Sequence, residues 1–153
     1  MSGKRMKYFA YGSNMDPLRM QKRHVSYSQR VHAVLRGYVL RFNKLAYNDS
    51  REGKGNIIQD ENDAVEGVLY EMSDSDLAKL DCAEGYPDHY HRISVTVELD
   101  DHAAVEAITY IAQPGMIRAG LKPKREYLDH YIAARDILSE SYVQKLGSIE
   151  TLD

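Results

Sequence analysis

The feature that most constrains this chain is a pair of strand patterns set close together. Ile93, Val95, Val97 and Leu99 alternate with more polar residues. A side-chain period of two places all four on one face of a strand, and an apolar face needs cover. Asp100-Asp101-His102 forms a turn, and residues 105–112 read as a second strand ended by Gln113-Pro114-Gly115. So short a connection joins antiparallel neighbours, because a parallel pair needs a crossover of a dozen or more residues.

The rest of the chain extends this hairpin logic. Residues 7–10 read as a short strand. Val31, Ala33 and Leu35 alternate, Gly37 interrupts, and residues 39–43 run on, which predicts a strand bent or bulged at the glycine. Residues 56–59 and 64–72 read as two more strands. Gly67 weakens the second of them unless its backbone approaches something closely. Asp16-Pro17 opens a helix running to about residue 24, with Asp16 as its cap and Pro17 in its first position. Ser73-Asp74-Ser75-Asp76 opens another, ending near Gly85-Tyr86-Pro87. A helix from about residue 125 carries Tyr127, Leu128, Tyr131, Ile132 and Leu138 on one face. Ser139 caps a last short helix that stops at Gly147. No internal repeat and no regular βαβ alternation occurs, so the order argues for α+β, with a mostly antiparallel or mixed sheet able to curl into a barrel. Residues 47–55 are polar and hold two glycines. They read as a mobile surface loop, with a flap over a site as the rarer alternative.

A length of 153 residues fits one domain over 1–153. The net charge of −3 supplies no global field for nucleic acid, so acidic substrates must be held by local groups. No stretch approaches the ~18–20 apolar residues of a membrane span, and the apolar run 8–11 is too short for a signal-peptide core. A cytoplasmic protein is expected. Cys82 is the only cysteine, which rules out an intrachain disulfide and fits a reducing compartment. Twelve tyrosines accompany no tryptophan. Some are expected to line a polar cavity, since the ring packs while the hydroxyl still bonds; the majority read as partly buried surface residues.

Two segments carry candidate chemistry. Tyr11-Gly12-Ser13-Asn14 lies between a strand and a helix start. Successive N–H groups in such a turn can converge on a carboxylate or an oxyanion, and Gly12 permits close approach or a positive φ. An ordinary strand-to-helix turn is the commoner meaning of such a segment. In Asp81-Cys82-Ala83-Glu84-Gly85, Asp81 and Glu84 share a helix face. A carboxylate at a helix C-terminus faces the unfavourable end of the dipole, and desolvation there raises its pKa towards the range of a general acid–base. Again the plainer meaning, an exposed acidic helix end, is commoner. Cys82 has no evident cationic partner and reads as an inert packed residue. His89 and His91 offer two metal ligands at most, too few for a site. Lys22-Arg23-His24 reads as a solvated helix face. No Walker loop, dinucleotide-binding glycine pattern or nucleophile elbow occurs.

Together these segments resemble the γ-glutamylcyclotransferase family. Tyr8-Phe9-Ala10-Tyr11-Gly12-Ser13-Asn14-Met15 is similar to its N-terminal signature. Gly67-Val68-Leu69-Tyr70, followed by Leu80-Asp81-Cys82-Ala83-Glu84-Gly85, resembles its second block. The similarity runs over about residues 8–146, and the match is to the branch with Ser-Asn after Tyr-Gly. The branches specialised for glutathione and for γ-glutamyl-lysine carry other residues there. The resemblance implies a mixed, mostly antiparallel barrel with flanking helices and a cavity at its mouth. It implies that Tyr11, Gly12, Ser13 and Asn14 cradle the glutamyl end of a small γ-glutamyl substrate. It places Glu84 on the catalytic glutamate and Tyr127 and Tyr90 on pocket tyrosines, and it calls for no metal or cofactor. The implied reaction closes the glutamyl group into 5-oxoproline and frees an amine. The alternatives are removal of a γ-glutamyl group from an acylated amine in a biosynthetic pathway, and a non-catalytic binding module. No nucleic-acid or membrane partner is expected; a homodimer is open.

Overall fold

Five strands, β1 (Arg5–Ala10), β2 (Gln29–Leu45), β3 (Gly53–Ser73), β4 (Tyr90–Glu98) and β5 (Ala104–Ala112), close into a barrel in the order β1, β3, β2, β4, β5 in the computed structural model, which describes residues 4–153. Residues 1–3, the start of the expected domain, lie outside the described residues. The hairpin that opened the sequence argument is β4 (Tyr90–Glu98) and β5 (Ala104–Ala112), antiparallel with Val95 opposite Ala107. β1 (Arg5–Ala10) runs antiparallel to β3 and parallel to β5, so the barrel is mixed but mostly antiparallel, as expected.

β2 (Gln29–Leu45) and β3 (Gly53–Ser73) are longer than the sequence suggested. Gly37 does bend β2: its φ is +85° and the register slips between Arg36 and Tyr38. The two strands expected at 56–59 and 64–72 are one strand. Arg36 faces Ala64 and Tyr38 faces Gln59, so the polar run Asp60-Glu61-Asn62-Asp63 stands as a bulge opposite Gly37. A polar cluster that reads as a turn is here an interruption of pairing, not of the strand. Gly67 has the close approach that excuses it. A Cβ there would lie 2.3 Å from the Ala10 carbonyl oxygen and 2.7 Å from the Phe9 ring.

Helix α1 (Pro17–Lys22) starts where Asp16 accepts from the Leu18 N–H, and it ends about two residues early, with Arg23 as C-cap. Helix α2 (Asp74–Glu84) has Ser73 as its cap and Gly85, in the left-handed region at φ +67°, closing its end. Helix α3 (Arg125–Ile132) is shorter than expected. The chain turns after Ala133, so Leu138 is not on that helix, although it is buried in the same core as Leu128 and Tyr131. Helix α4 (Glu140–Gly147) follows its Ser139 cap as expected.

The segment 47–55 is not a plain surface loop. Glu52, Gly53 and Gly55 are buried, and β3 begins inside the segment. Buried apolar residues form two clusters. One is mostly aliphatic, built on Phe9, Leu35, Ile57, Val65, Leu69 and Val97. The other holds the helices against the barrel and is rich in tyrosine. Seven tyrosines are buried: Tyr8, Tyr11, Tyr70, Tyr90, Tyr110, Tyr131 and Tyr142. The expectation that most would sit partly buried at the surface is thus overturned. Among the described residues, no helix is long and apolar enough to cross a membrane.

Candidate active site

Asn14 is the hub. β1 delivers the chain into a single 3-10 turn, Ser13–Met15, whose Asn14 is 2 % exposed. Its amide nitrogen donates to the Glu84 Oε1 at 2.8 Å and to the Tyr8 hydroxyl at 2.9 Å. Its side-chain oxygen accepts from the Arg23 guanidinium, and its backbone oxygen accepts from the Tyr70 hydroxyl at 2.7 Å. A guanidinium can only donate and a carboxylate only accept, so these two neighbours fix which way the amide points. The N–H groups of Ser13 and Asn14 lead a helical turn and have no backbone acceptor among the described residues. Gly12 has an ordinary negative φ, −123°, so close approach rather than backbone freedom explains it. A Cβ there would come within 3.2 Å of the Tyr131 hydroxyl.

Glu84 is the last residue of α2, at the negative end of that helix. Its side chain is 18 % exposed, with the Arg23 Nη1 3.7 Å from Oε1. Burial pushes its pKa up; Arg23 and Asn14 pull it down without cancelling the rise. The result is a carboxyl group held in place that can change protonation nearer to neutrality than a solvated glutamate. Asp81, one turn earlier, does something else. It accepts from Arg92 Nε at 3.0 Å and from the Tyr110 hydroxyl at 2.6 Å, which ties α2 to β4 and β5.

The far wall is built around the peptide of Gly55. Its N–H donates to the Tyr127 hydroxyl at 2.8 Å, and its carbonyl accepts from the Tyr90 hydroxyl at 2.7 Å. Tyr127 also bonds Tyr131 at 3.1 Å, and burial raises its pKa to about 12. A Cβ at Gly55 would sit 2.1 Å from the Tyr131 hydroxyl, so only glycine fits. These walls enclose an inner cavity of about 30 Å³ that leads to an outer one of about 270 Å³; Ser13, Glu84, Tyr90 and Tyr127 line both.

All seven candidate residues, Tyr11, Gly12, Ser13, Asn14, Glu84, Tyr90 and Tyr127, therefore meet at one cavity. Sequence reasoning missed Tyr8, Gly55 and Tyr110, which line it too, and misjudged Arg23. Arg23 turns inward to Asn14 and Glu84 rather than facing solvent. Its spacing from Arg19, four residues and hence one helical face beside the turn, was the available signal. Cys82 is exposed rather than packed. His89 faces Lys44, and no group of three or more His, Cys, Asp or Glu side chains able to hold a metal occurs among the described residues.

Residues 8–136 match the family described as Gamma-glutamyl cyclotransferase, AIG2-like. The chain belongs to this family. A putative γ-glutamylcyclotransferase of Drosophila melanogaster is 30 % identical over 102 residues, 59 % of this chain and 60 % of the fly protein. One from Methanocaldococcus jannaschii is 39 % identical over 46 residues, 30 % of this chain and 38 % of its own. The match thus spans less than two thirds of either relative. A solved structure named as a gamma-glutamyl cyclotransferase superposes with a TM-score of 0.84 at 26 % identity, covering 98 % of this chain and 90 % of that one. A human protein described as uncharacterized superposes with a TM-score of 0.87 at 28 % identity, covering 97 % and 90 %. For this γ-glutamylcyclotransferase-family chain, those likenesses extend over the whole barrel and both cavity walls.

Proposed function

We propose that the protein is a cytoplasmic γ-glutamylcyclotransferase that converts a γ-glutamyl compound into 5-oxoproline and a free amine, with Glu84 as its proton shuttle. The observation that carries this reading is the Glu84 carboxyl, largely buried, raised in pKa and fixed by Asn14 where the inner and outer cavities meet. The α-amine of the glutamyl group arrives mostly protonated. The Glu84 carboxylate takes one proton, and the amine nitrogen attacks the γ-carbonyl carbon of the same molecule. The C–N bond to the leaving amine then breaks as Glu84 returns the proton to that nitrogen, and the second proton shed by the new ring nitrogen is taken up by the departing amine, which leaves as an ammonium while 5-oxoproline keeps one N–H. Because the attack is intramolecular, holding the chain folded supplies much of the rate. The leading N–H groups of the turn suit the glutamyl α-carboxylate, and the hydroxyls of Tyr90 and Tyr127, with the Gly55 peptide between them, shape the wall that folds the substrate.

The test is a panel of γ-glutamyl amino acids, γ-glutamyl amines and glutathione, scored for 5-oxoproline by mass spectrometry. Release from at least one member, reduced by about 10²–10⁴-fold in Glu84→Gln, supports the reading. Turnover near wild type in that variant sinks the mechanism.

A further inference from the structure

The outer cavity reverses the charge of the molecule. The chain carries −3 overall, yet four cations, Arg19, Arg23, Lys44 and Lys54, line this space against two carboxylates, Glu52 and Glu84. Lys54 is matched by Glu52 at 3.0 Å. Arg23 shares Glu84, which must give up its charge during each turnover. Among the described residues, neither Arg19 nor Lys44 pairs with a carboxylate; their partners are histidines.

Both of these cations are held in place by neutral groups. Lys44 is 2 % exposed. Its ammonium donates to His89 Nδ1 at 2.8 Å and lies 5.1 and 5.3 Å from the ring centres of Tyr47 and Tyr90. Arg19 bonds His130 Nε2 at 3.2 Å. The other nitrogen of that ring faces Asp16 at 2.7 Å, so the imidazole donates its Nδ1–H to Asp16 and accepts from Arg19 at Nε2. The Nε of Arg19 is buried and has no partner among the described residues. Burial lowers the pKa of both cations, and Arg23 adds repulsion at Arg19. Two desolvated cations without a carboxylate are costly to the free protein unless an anion arrives to meet them.

We infer that the leaving amine of the substrate is an acidic amino acid whose two carboxylates are held by Arg19, Arg23 and Lys44. This rests on the cyclotransferase reading. With the glutamyl group in the inner cavity beside Glu84, whatever it is bonded to extends into the outer one. A leaving group with two negative charges cancels the surplus of two positive charges there. One carboxylate cancels half of it, a neutral amine none, and a cationic amine such as a lysine side chain or a polyamine adds to it.

The experiment compares kcat/KM for γ-glutamyl-glutamate, γ-glutamyl-alanine and γ-glutamyl-ethylamide at low ionic strength, by 5-oxoproline release. Each carboxylate removed is expected to lower kcat/KM by roughly ten- to hundredfold. In Lys44→Met, and separately in Arg19→Met on a different element, the ratio of the glutamate to the ethylamide substrate is expected to shrink about tenfold, through KM. Similar kcat/KM for all three substrates in the wild type overturns the inference and leaves the cyclotransferase reading standing. A preference that survives both substitutions intact overturns the assignment to these cations. Absence of 5-oxoproline from every substrate overturns the reading itself, and this inference with it.

Discussion

The two buried clusters of this barrel are made of different material. The cluster between Phe9 and Val97 is mostly aliphatic, with Tyr11 as its one buried tyrosine. The cluster between the barrel mouth and the helices buries Tyr8, Tyr70, Tyr90, Tyr110, Tyr131 and Tyr142. In the first, apart from Tyr11, whose hydroxyl donates to the Tyr110 carbonyl at 2.7 Å, apolar side chains meet one another, and shape and volume decide the fit. In the second, half of the six rings pack while their hydroxyls reach backbone or carboxylate: Tyr70 to the Asn14 carbonyl, Tyr90 to Gly55, Tyr110 to Asp81. A tyrosine layer can therefore be both a core and the wall of a polar cavity. Stability and chemistry are separable in this molecule to the degree that the two clusters are.

That separation can be broken by substitution. Leu35→Ala, in the aliphatic cluster, should cost about 2–5 kcal/mol in denaturant unfolding and leave kcat/KM within about twofold. A parallel loss of activity means the clusters are coupled. Gly55→Ala should do both kinds of harm. It forces a methyl group onto the Tyr131 hydroxyl, costs about 1–3 kcal/mol and disturbs the two hydroxyl bonds to that peptide. Wild-type turnover there removes Gly55 from the wall.

A smaller and pH-dependent effect belongs to His32, which clasps the aliphatic half to α4. Its ring bonds Asp100 and Glu66, and Glu66 in turn accepts from the Ser139 N–H and hydroxyl. Burial opposes the charged ring, but the bonds to Asp100 and Glu66 prevail and its pKa is raised. Stability from this cluster is fully present below the unfolded value of about 6.5. It is lost as pH rises through the higher folded value. His32→Leu should therefore cost at most about 1 kcal/mol at pH 5.5 and less at pH 9; equal losses at both pH values discard the linkage. Cys82→Ser, exposed and outside both clusters, should stay within about 0.5 kcal/mol of wild type with full turnover. A loss of turnover with the fold intact reopens a role for the thiol.

What the sequence revealed was local. Asp16-Pro17, Ser73 and Gly85 announced their helix ends because caps are made by neighbours in the chain. Gly37 announced its bulge for the same reason. The polar run 60–63 misled because its pairing gap is defined by a partner strand more than twenty residues away. The candidate site divides in the same way. The turn at Gly12 and the glutamate at Glu84 were visible through their motifs, whereas Gly55, Tyr8 and Arg23 acquire meaning only when the barrel closes. Gly55 looked like loop flexibility and is instead a place where two tyrosine hydroxyls need room.

The barrel closes unevenly. Among the described residues, the β4–β5 hairpin is paired with β2 through Val34 and Glu98 and with β1 through Tyr8 and Ile108, while β2 and β3 are paired along most of their length. Amide hydrogen exchange should accordingly find this hairpin opening as a cooperative unit, well below the free energy of global unfolding. It carries Tyr90 and Tyr110 with it, so an occupied cavity would slow exchange across the hairpin while leaving β2 and β3 at their own pace.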